Sequence, residues 1–389
     1  MNSSDQTNKV LTTLAQICNQ KIAIFGAGET GQEFVKLVRR EQLAVEIVNF
    51  IDSNRTGETL GITVISPDKL HSLTNDVIII IGSVFWNEIT SVIKTHCQNR
   101  YLILSNELIN TASHLSAYGS FYFDDKATAS LEVRYSKIIE NFETVLDKEI
   151  FRKAFELRVY KKEDEFFVWA ADHIENQKKL FSTKNKYSAN LNLEQVQFAI
   201  EGGVFDGEDT SRFMEKLSQH PNFKKLYAID PDLRTLKNGS YYSALSQEDR
   251  CHFEQLALYS DDVELLLLFD RENPANTKVI KQTEATNEEK NRGYLCQGIT
   301  LDTFIKRNNI STIDLLKLDT EGAEMDILQG GRNTILKNFP QMAISLYHKK
   351  EHLLEIPEYL LSLNPQYRFT MSLNNASFVD MVMYAINND

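Results

Sequence analysis

The chain has few cysteines, and its four, Cys18, Cys97, Cys251 and Cys296, are widely spaced with no C-x-x-C pair. This excludes a zinc ribbon or a disulfide framework as the organising device and leaves a reducing cytoplasm as the expected setting. Positive charge is also scarce. With 42 Lys and Arg against 54 Asp and Glu, the formal net charge of -12 opposes non-specific binding to nucleic acid or to an anionic membrane. No apolar run approaches the ~20 residues of a membrane-spanning helix. The run "VIIIIG" suits a buried parallel strand instead. The opening "MNSSDQTNKVLTTLAQ" has no basic region followed by an apolar core, so no export signal is expected. Internal repeats and low-complexity stretches are missing too, which excludes a solenoid.

What is present is enough apolar sequence for two or three globular domains. Residues 1–120 alternate β-branched runs ("KIAIFG", "VEIVNFID", "DVIIIIG", "YLILS") with helical stretches such as "EFVKLVRR", the pattern of a small parallel α/β domain. Residues 121–190 are charged and helical in period, a helical connector. Residues 191–389 return to strands at "VQFAIEGG", "KLYAID", "CHFEQLALYS", "IDLLKLD" and "QMAISLYH", with helices after most of them. The expected fold is α/β: two Rossmann-like parallel-sheet domains joined by a helical connector.

The segment "FAIEGGVFDGEDTSRFMEKL" reads as strand, tight turn, then a helix beginning near Asp209 or Thr210. Ligands of such sheets sit at the carboxyl ends of strands. Glycines at 202, 203 and 207 permit positive φ and close approach of a ligand to the main chain. Phosphate is disfavoured, because Glu201, Asp206, Glu208 and Asp209 crowd the turn and no phosphate-cradling Lys is present. A cationic or zwitterionic ligand fits better. The next strand ends in "YAIDPD", where Asp230 stands ready to accept ribose hydroxyls. A ribose plus a positive charge describes S-adenosylmethionine.

The turn followed by a strand-end acid resembles the Rossmann-like methyltransferases. Together with "LALYSDD", "ITLDTFI", "IDLLKLDTEGAEMDILQGGRNTI" and "ISLYHKKEHLLEIPEYL", it resembles the FkbM family from about Tyr187 to the C-terminus. That resemblance implies O-methylation of a saccharide, a nucleotide-sugar or a related hydroxylated metabolite. It places Glu201, Gly203, Asp206 and Gly207 around the methionine and ribose parts of S-adenosylmethionine, Asp230 on the ribose, and Ala257 or Leu258 against the adenine. Glu201 departs from the family's more frequent Asp, and the stretch 270–298 is a long polar insertion.

Asp319 ends the fourth strand of this domain facing the donor methyl, followed by Glu321 and Glu324; all three are competent oxygen ligands for Mg²⁺, but spacing alone does not show that they converge, and no metal site is expected. Lys317, two residues before Asp319, faces the same side and could pair with it. His348, beside Tyr347 in "SLYHKK", ends the fifth strand next to the same crevice. Asp319, His348 and Glu321 are the expected catalytic residues. Either Asp319 or a neutral His348 would accept the proton of the acceptor hydroxyl.

The N-terminal block carries "IFGAGETGQEFVKLV", with Gly26, Gly28 and Gly31 in G-x-G-x-x-G spacing, and Asp52 at the end of the following strand. This meets the context expected for dinucleotide binding. With "FIDSNRTGETLGITVISPDKL" it resembles the N-terminal domain of PglD-type sugar acetyltransferases, which implies a bound nucleotide or nucleotide-sugar; a purely structural copy of that domain is the alternative. At the level of the whole chain the leading expectation is a cytoplasmic methyltransferase acting on a small-molecule or saccharide acceptor, with homo-oligomerisation open. The rivals are a nucleotide-binding protein with a degenerate methyltransferase domain and an NAD-dependent oxidoreductase.

Overall fold

A computed structural model describes residues 10–83, 85–105, 108, 121–181, 186–269, 277–374 and 381–387. The chain divides into two compact units. The first holds Met1–Thr128, Lys153–Leu180 and Leu373–Val379, and the second Ala129–Arg152, Phe181–Ser372 and Asp380–Asp389. The domain boundary expected near residue 120 and residues 270–276 of the polar insertion lie outside the described residues.

In the first unit seven strands form one sheet: β1 (Val10–Leu11), β2 (Lys21–Phe25), β3 (Glu46–Ile51), β4 (Gly57–Thr59), β5 (Ile62–Ile65), β6 (Val77–Ile81) and β7 (Tyr101–Leu104), in the order β1-β7-β6-β2-β3-β5-β4. All recorded pairings are parallel except β4 with β5. Every residue of β6 is buried, as a strand covered on both faces requires. Helix α1 (Glu29–Arg40) turns Phe34, Val35, Leu37 and Val38 onto the sheet and keeps its charged residues outside. Helix α2 is Trp86–His96.

The helical period of the connector is realised in α3 (Thr128–Ile138), α4 (Val145–Tyr160) and α5 (Glu163–Phe181). No described helix is long and apolar enough to cross a membrane.

The second unit is built on β8 (Phe198–Gly202), β9 (Lys225–Ile229), β10 (Cys251–Glu254), β15 (Leu315–Leu318), β16 (Gln341–Ser345), β17 (Arg368–Leu373) and β18 (Met381–Ile386). Their order is β10-β9-β8-β15-β16-β18-β17, parallel from β10 to β16 and antiparallel at β16–β18. The chain steps outward from β8 to β10 and then returns across the sheet to β15. The carboxyl ends of β8 and β15 therefore flank the point where the strand order reverses, and a crevice opens there. Helix α6 (Glu208–Leu217) follows β8 and buries Phe213, Met214 and Leu217; α7 (Glu324–Gly330) follows β15, and α8 (His352–Leu363) follows β16.

The stretch "CHFEQLALYS", read as one strand from sequence, is two. After β10 the chain breaks at Gln255 and Leu256, and β11 (Ala257–Leu258) leaves the main sheet to pair with β14 (Tyr294–Ile299). The polar insertion does not loop out: its described part supplies β13 (Lys278–Lys281), a short helix Asn287–Arg292 with a Thr286–Glu289 capping box, and β14. With β12 (Glu264–Leu268) these build a second sheet, β11-β14-β12-β13. Leu265 to Leu268 are buried within it, which explains why so polar a sequence folds.

Candidate functional site

The turn after β8 has a specific backbone cause. Gly203 adopts φ 86°, and a Cβ there would meet the Asp319 carbonyl oxygen at 1.8 Å; Gly207 adopts φ 85°, and its Cβ would meet Leu236 Cδ1 at 2.5 Å. At both positions a Cβ would run into the protein's own chain, so the turn itself requires these glycines. Asp206 Oδ1 accepts the Glu208 amide at 3.0 Å, which ties down the first turn of α6.

Asp230, one residue beyond β9, is central to the same turn. Its Oδ2 accepts the amides of Val204 at 2.8 Å and Phe205 at 3.4 Å, and its Oδ1 accepts that of Asp232 at 2.8 Å. Burial pushes its carboxyl up despite those three amides. Three of roughly four acceptor positions are thereby occupied from within, so Asp230 shapes the turn as well as facing the crevice. Asp232 is buried beside it and holds Arg234 in a two-pronged pair at 2.7 and 2.9 Å. Sequence reasoning missed Asp232, although "DPD" signals it.

Strands β8 and β15 lie in register with Lys317 opposite Glu201, and the two side chains form an ion pair at 3.1 Å with 2% and 1% exposure. Lys317 Nζ also donates to the Gly203 carbonyl at 2.6 Å and stands 4.6 Å from the centre of the Tyr187 ring. Burial pushes the Glu201 carboxyl up, with Lys317 pulling against it. Lys317 thus does not make its close ion pair with Asp319, as the two-residue spacing suggested. The partner in hydrogen-bond register on the adjacent strand is nearer than the next residue on the same face.

Asp319 is held by two phenols: Tyr187 donates to Oδ2 at 2.5 Å and Tyr347 to Oδ1 at 3.0 Å. Burial opposes its charge, but the fields of Lys317, His348 and Lys186 and the Tyr187 bond prevail and pull its carboxyl down to about 2. It keeps 19% of its side chain exposed, towards the crevice. His348 lies behind it, with no exposed side-chain surface, its Nε2 3.7 Å from Asp319 Oδ1 and 3.5 Å from Glu321 Oε2. Its Nδ1 is 2.8 Å from Oε1 of the fully buried Glu324. Burial alone would lower the His348 value, yet Glu324 and Glu321 raise it well above the ordinary imidazole range. Glu324 in turn is held well below the carboxylate range, against the penalty of burial, by His348 and His352, and its Oε1 accepts the Thr320 amide at 2.9 Å. The second oxygen, Oε2, is 3.2 Å from Nδ1 of buried His352, a residue the sequence reading passed over. Asp319 and Glu324 do converge: with His348 their potential ligand atoms all lie within 4.8 Å of one another, and within that cluster Glu324 and His348 are bonded to each other.

The crevice is a cavity of about 240 Å³. Of the residues anticipated from sequence, Gly203, Asp206, Asp230, Leu258, Asp319 and Glu321 line it. Glu201, Gly207 and His348 stand behind its wall. Ala257 joins Leu258 from β11, and Lys186 and Tyr347 border it. Tyr187 was legible only as part of the connector: nothing in its sequence neighbourhood signals a partner 132 residues away.

In the first unit the glycine motif has the same internal logic. Gly26 has φ 109°, and a Cβ on Gly31 would meet the Gly26 carbonyl oxygen at 1.9 Å, so these two glycines serve the turn and the seat of α1 on it. Gly28 faces open space. Asp52 Oδ2 accepts the Ala27 amide at 2.8 Å, and its Oδ1 accepts those of Asn54 and Arg55 at 2.9 and 3.0 Å. Burial works against its charge, but the three amides hold its carboxyl below the usual range. Like Asp230, Asp52 is largely used by its own turn.

The sheet of the second unit thus reverses its strand order at an acidic crevice, the position where such sheets bind ligands. Residues 201–369 match the model of the methyltransferase FkbM domain, and residues 18–104 match that of the C2185-like N-terminal domain. The FkbM-domain match falls wholly within the second unit. The first unit's match is to the C2185-like domain and does not confirm the PglD-type resemblance, and a nucleotide ligand there finds no support. The fold is similar to the crystal structure of methyltransferase FkbM from Methylobacillus flagellatus KT, with a TM-score of 0.65 at 16% identity, covering 98% of this chain and 96% of that one. The SAH-bound Podospora anserina methyltransferase PaMTH1 reaches a TM-score of only 0.30 at 9% identity, covering 70% of this chain and 100% of that one. No curated protein matches the chain in sequence.

Proposed function

We propose that the second unit transfers the methyl group of S-adenosylmethionine to a hydroxyl of a saccharide, nucleotide-sugar or related hydroxylated metabolite. The charge of the crevice carries this reading. Six carboxylates, Asp206, Asp209, Asp230, Asp232, Asp319 and Glu321, line it against two lysines, Lys186 and Lys317. Such a wall favours a sulfonium and an ammonium and repels phosphate.

Methyl transfer to an alcohol is an in-line displacement. The S–CH₃ bond breaks as the O–CH₃ bond forms, the sulfonium becomes a neutral thioether, and the hydroxyl proton must go elsewhere. Most of the rate enhancement comes from alignment of the two partners. Asp319 is assigned as the group that touches the reacting end of the ligand and takes the proton. It is ionised at any working pH, oriented by two phenols and open to the crevice. His348, positively charged and sealed behind Asp319, positions that carboxylate and does not act as a neutral base.

A calorimetric titration of the full chain with S-adenosylhomocysteine tests the ligand directly. One site per chain is expected, and a ligand that binds only the folded state should also raise the Tm. A flat titration would sink the assignment.

A further inference from the structure

Among the described residues, eight other than glycine have positive φ. Asn19, Gln42, Lys161, Asn309 and Phe339 stand where a helix has just ended, the usual place for a left-handed residue, and Leu60 turns between β4 and β5. Phe205 and Glu321, both at φ 51°, have neither explanation. They follow the carboxyl ends of β8 and β15, and both line the cavity.

Phe205 is the more telling of the two. Positions 203, 205 and 207 of the turn are all left-handed, and the chain places glycine at the first and third but a bulky aromatic at the second. A side chain such as Phe pays a steric penalty in this region that glycine escapes and that Asn tolerates better. Packing does not repay it, because Phe205 is 43% exposed. Apolar surface held at a strained position on a cavity wall points to something that covers it when bound. The backbone shows which part of the ligand that is: the Phe205 amide donates to Asp230 Oδ2, the strand-end acid on the ribose side of the crevice, whereas Asp319 stands at the end of β15.

We propose that Phe205 is a ligand-contacting residue, held in a left-handed conformation so that its ring packs against the nucleoside part of the bound S-adenosyl group. The proposal rests on the S-adenosylmethionine reading above. An aromatic face suits this role because it stacks on a purine or covers a ribose at little cost in side-chain entropy.

The test uses the full chain with Phe205→Asn, which suits the left-handed backbone but lacks the ring, and Phe205→Tyr, which keeps it. Thermal unfolding without ligand and calorimetric titration with S-adenosylhomocysteine and with adenosine are the readouts. Phe205→Asn should unfold no lower than the wild type while losing affinity for both ligands by a similar factor, on the order of tenfold. Phe205→Tyr should bind as the wild type does. A lower Tm in Phe205→Asn would make the ring a support of the fold and overturn the proposal, as would unchanged affinity for S-adenosylhomocysteine. If the wild type itself fails to bind, the S-adenosylmethionine reading falls and takes this one with it, whereas wild-type binding with an indifferent Phe205→Asn sinks this one alone.

Discussion

Asp319 and His348 carry opposite charges 3.7 Å apart, and the roles of the two follow from which protonation state each environment favours. Asp319→Asn keeps the shape of the site and both tyrosine neighbours but removes the charge. S-adenosylhomocysteine affinity should stay within a few fold while turnover falls by about 10²–10⁴, the range for loss of a proton acceptor. Because Asp319 is held ionised down to about pH 2, the rate should already be level near neutrality and show no rise through the ordinary imidazole range. A rate that climbs as pH rises above about 6.5, towards the raised value of His348, would instead make neutral histidine the base. The same cluster fixes a stability profile. His348 is raised in the folded state, so its contribution is complete below its ordinary value of 6.5 and fades as pH rises through its folded value; Glu324 is lowered, so its contribution is complete above its ordinary 4.5 and fades as pH falls. The Tm should therefore be highest between those two values and decline on both sides, and His348→Gln should flatten the alkaline side when melting is followed across pH.

At the scale of elements, the tightest coupling is lateral, between β8 and β15. Glu201→Gln leaves Lys317 buried without its counter-ion and should cost about 3–5 kcal/mol in chemical denaturation; adding Lys317→Met should recover part of that loss, since a buried pair replaced as a unit is often close to neutral. Strict additivity of the two changes would show that they do not interact. The glycines make a second contrast. Gly31→Ala drives a Cβ into the Gly26 carbonyl and should destabilise by about 1–3 kcal/mol or more. Gly28→Ala projects into open space and should cost only about 0.5 kcal/mol as an N-cap change. How much of this was legible in sequence differs by kind of interaction. Strand, glycine turn and helix were readable from local pattern, and α6 begins at Glu208, one residue from the expected start. The pairing of Lys317 with Glu201 was not, because it depends on the register of strands 116 residues apart rather than on alternation within one. Tyr187 and His352 were missed for the same reason. The polar insertion folds into a sheet because its few apolar residues find Leu265 to Leu268 of β12, a partner that polarity averaged over the stretch conceals.

For the molecule as a whole, two α/β units with similar glycine turns differ in what those turns present. In both, the strand-end acid binds three backbone amides of its own chain, which is an economical way to fix a left-handed turn. In the second unit the turn opens onto a cavity whose wall also bears Asp319, a carboxylate oriented by two phenols. The central claim is therefore methyl transfer to oxygen by that unit. It is tested most directly by incubating the full chain with S-adenosylmethionine labelled in its methyl group and a set of saccharides, nucleotide-sugars and cell-extract metabolites, then identifying the labelled product. The account predicts label in an alkali-stable methyl ether with the wild type, and label reduced by about 10²–10⁴ in rate with Asp319→Asn. Label on nitrogen or in a carboxyl ester, or equal labelling by the two proteins, would contradict it.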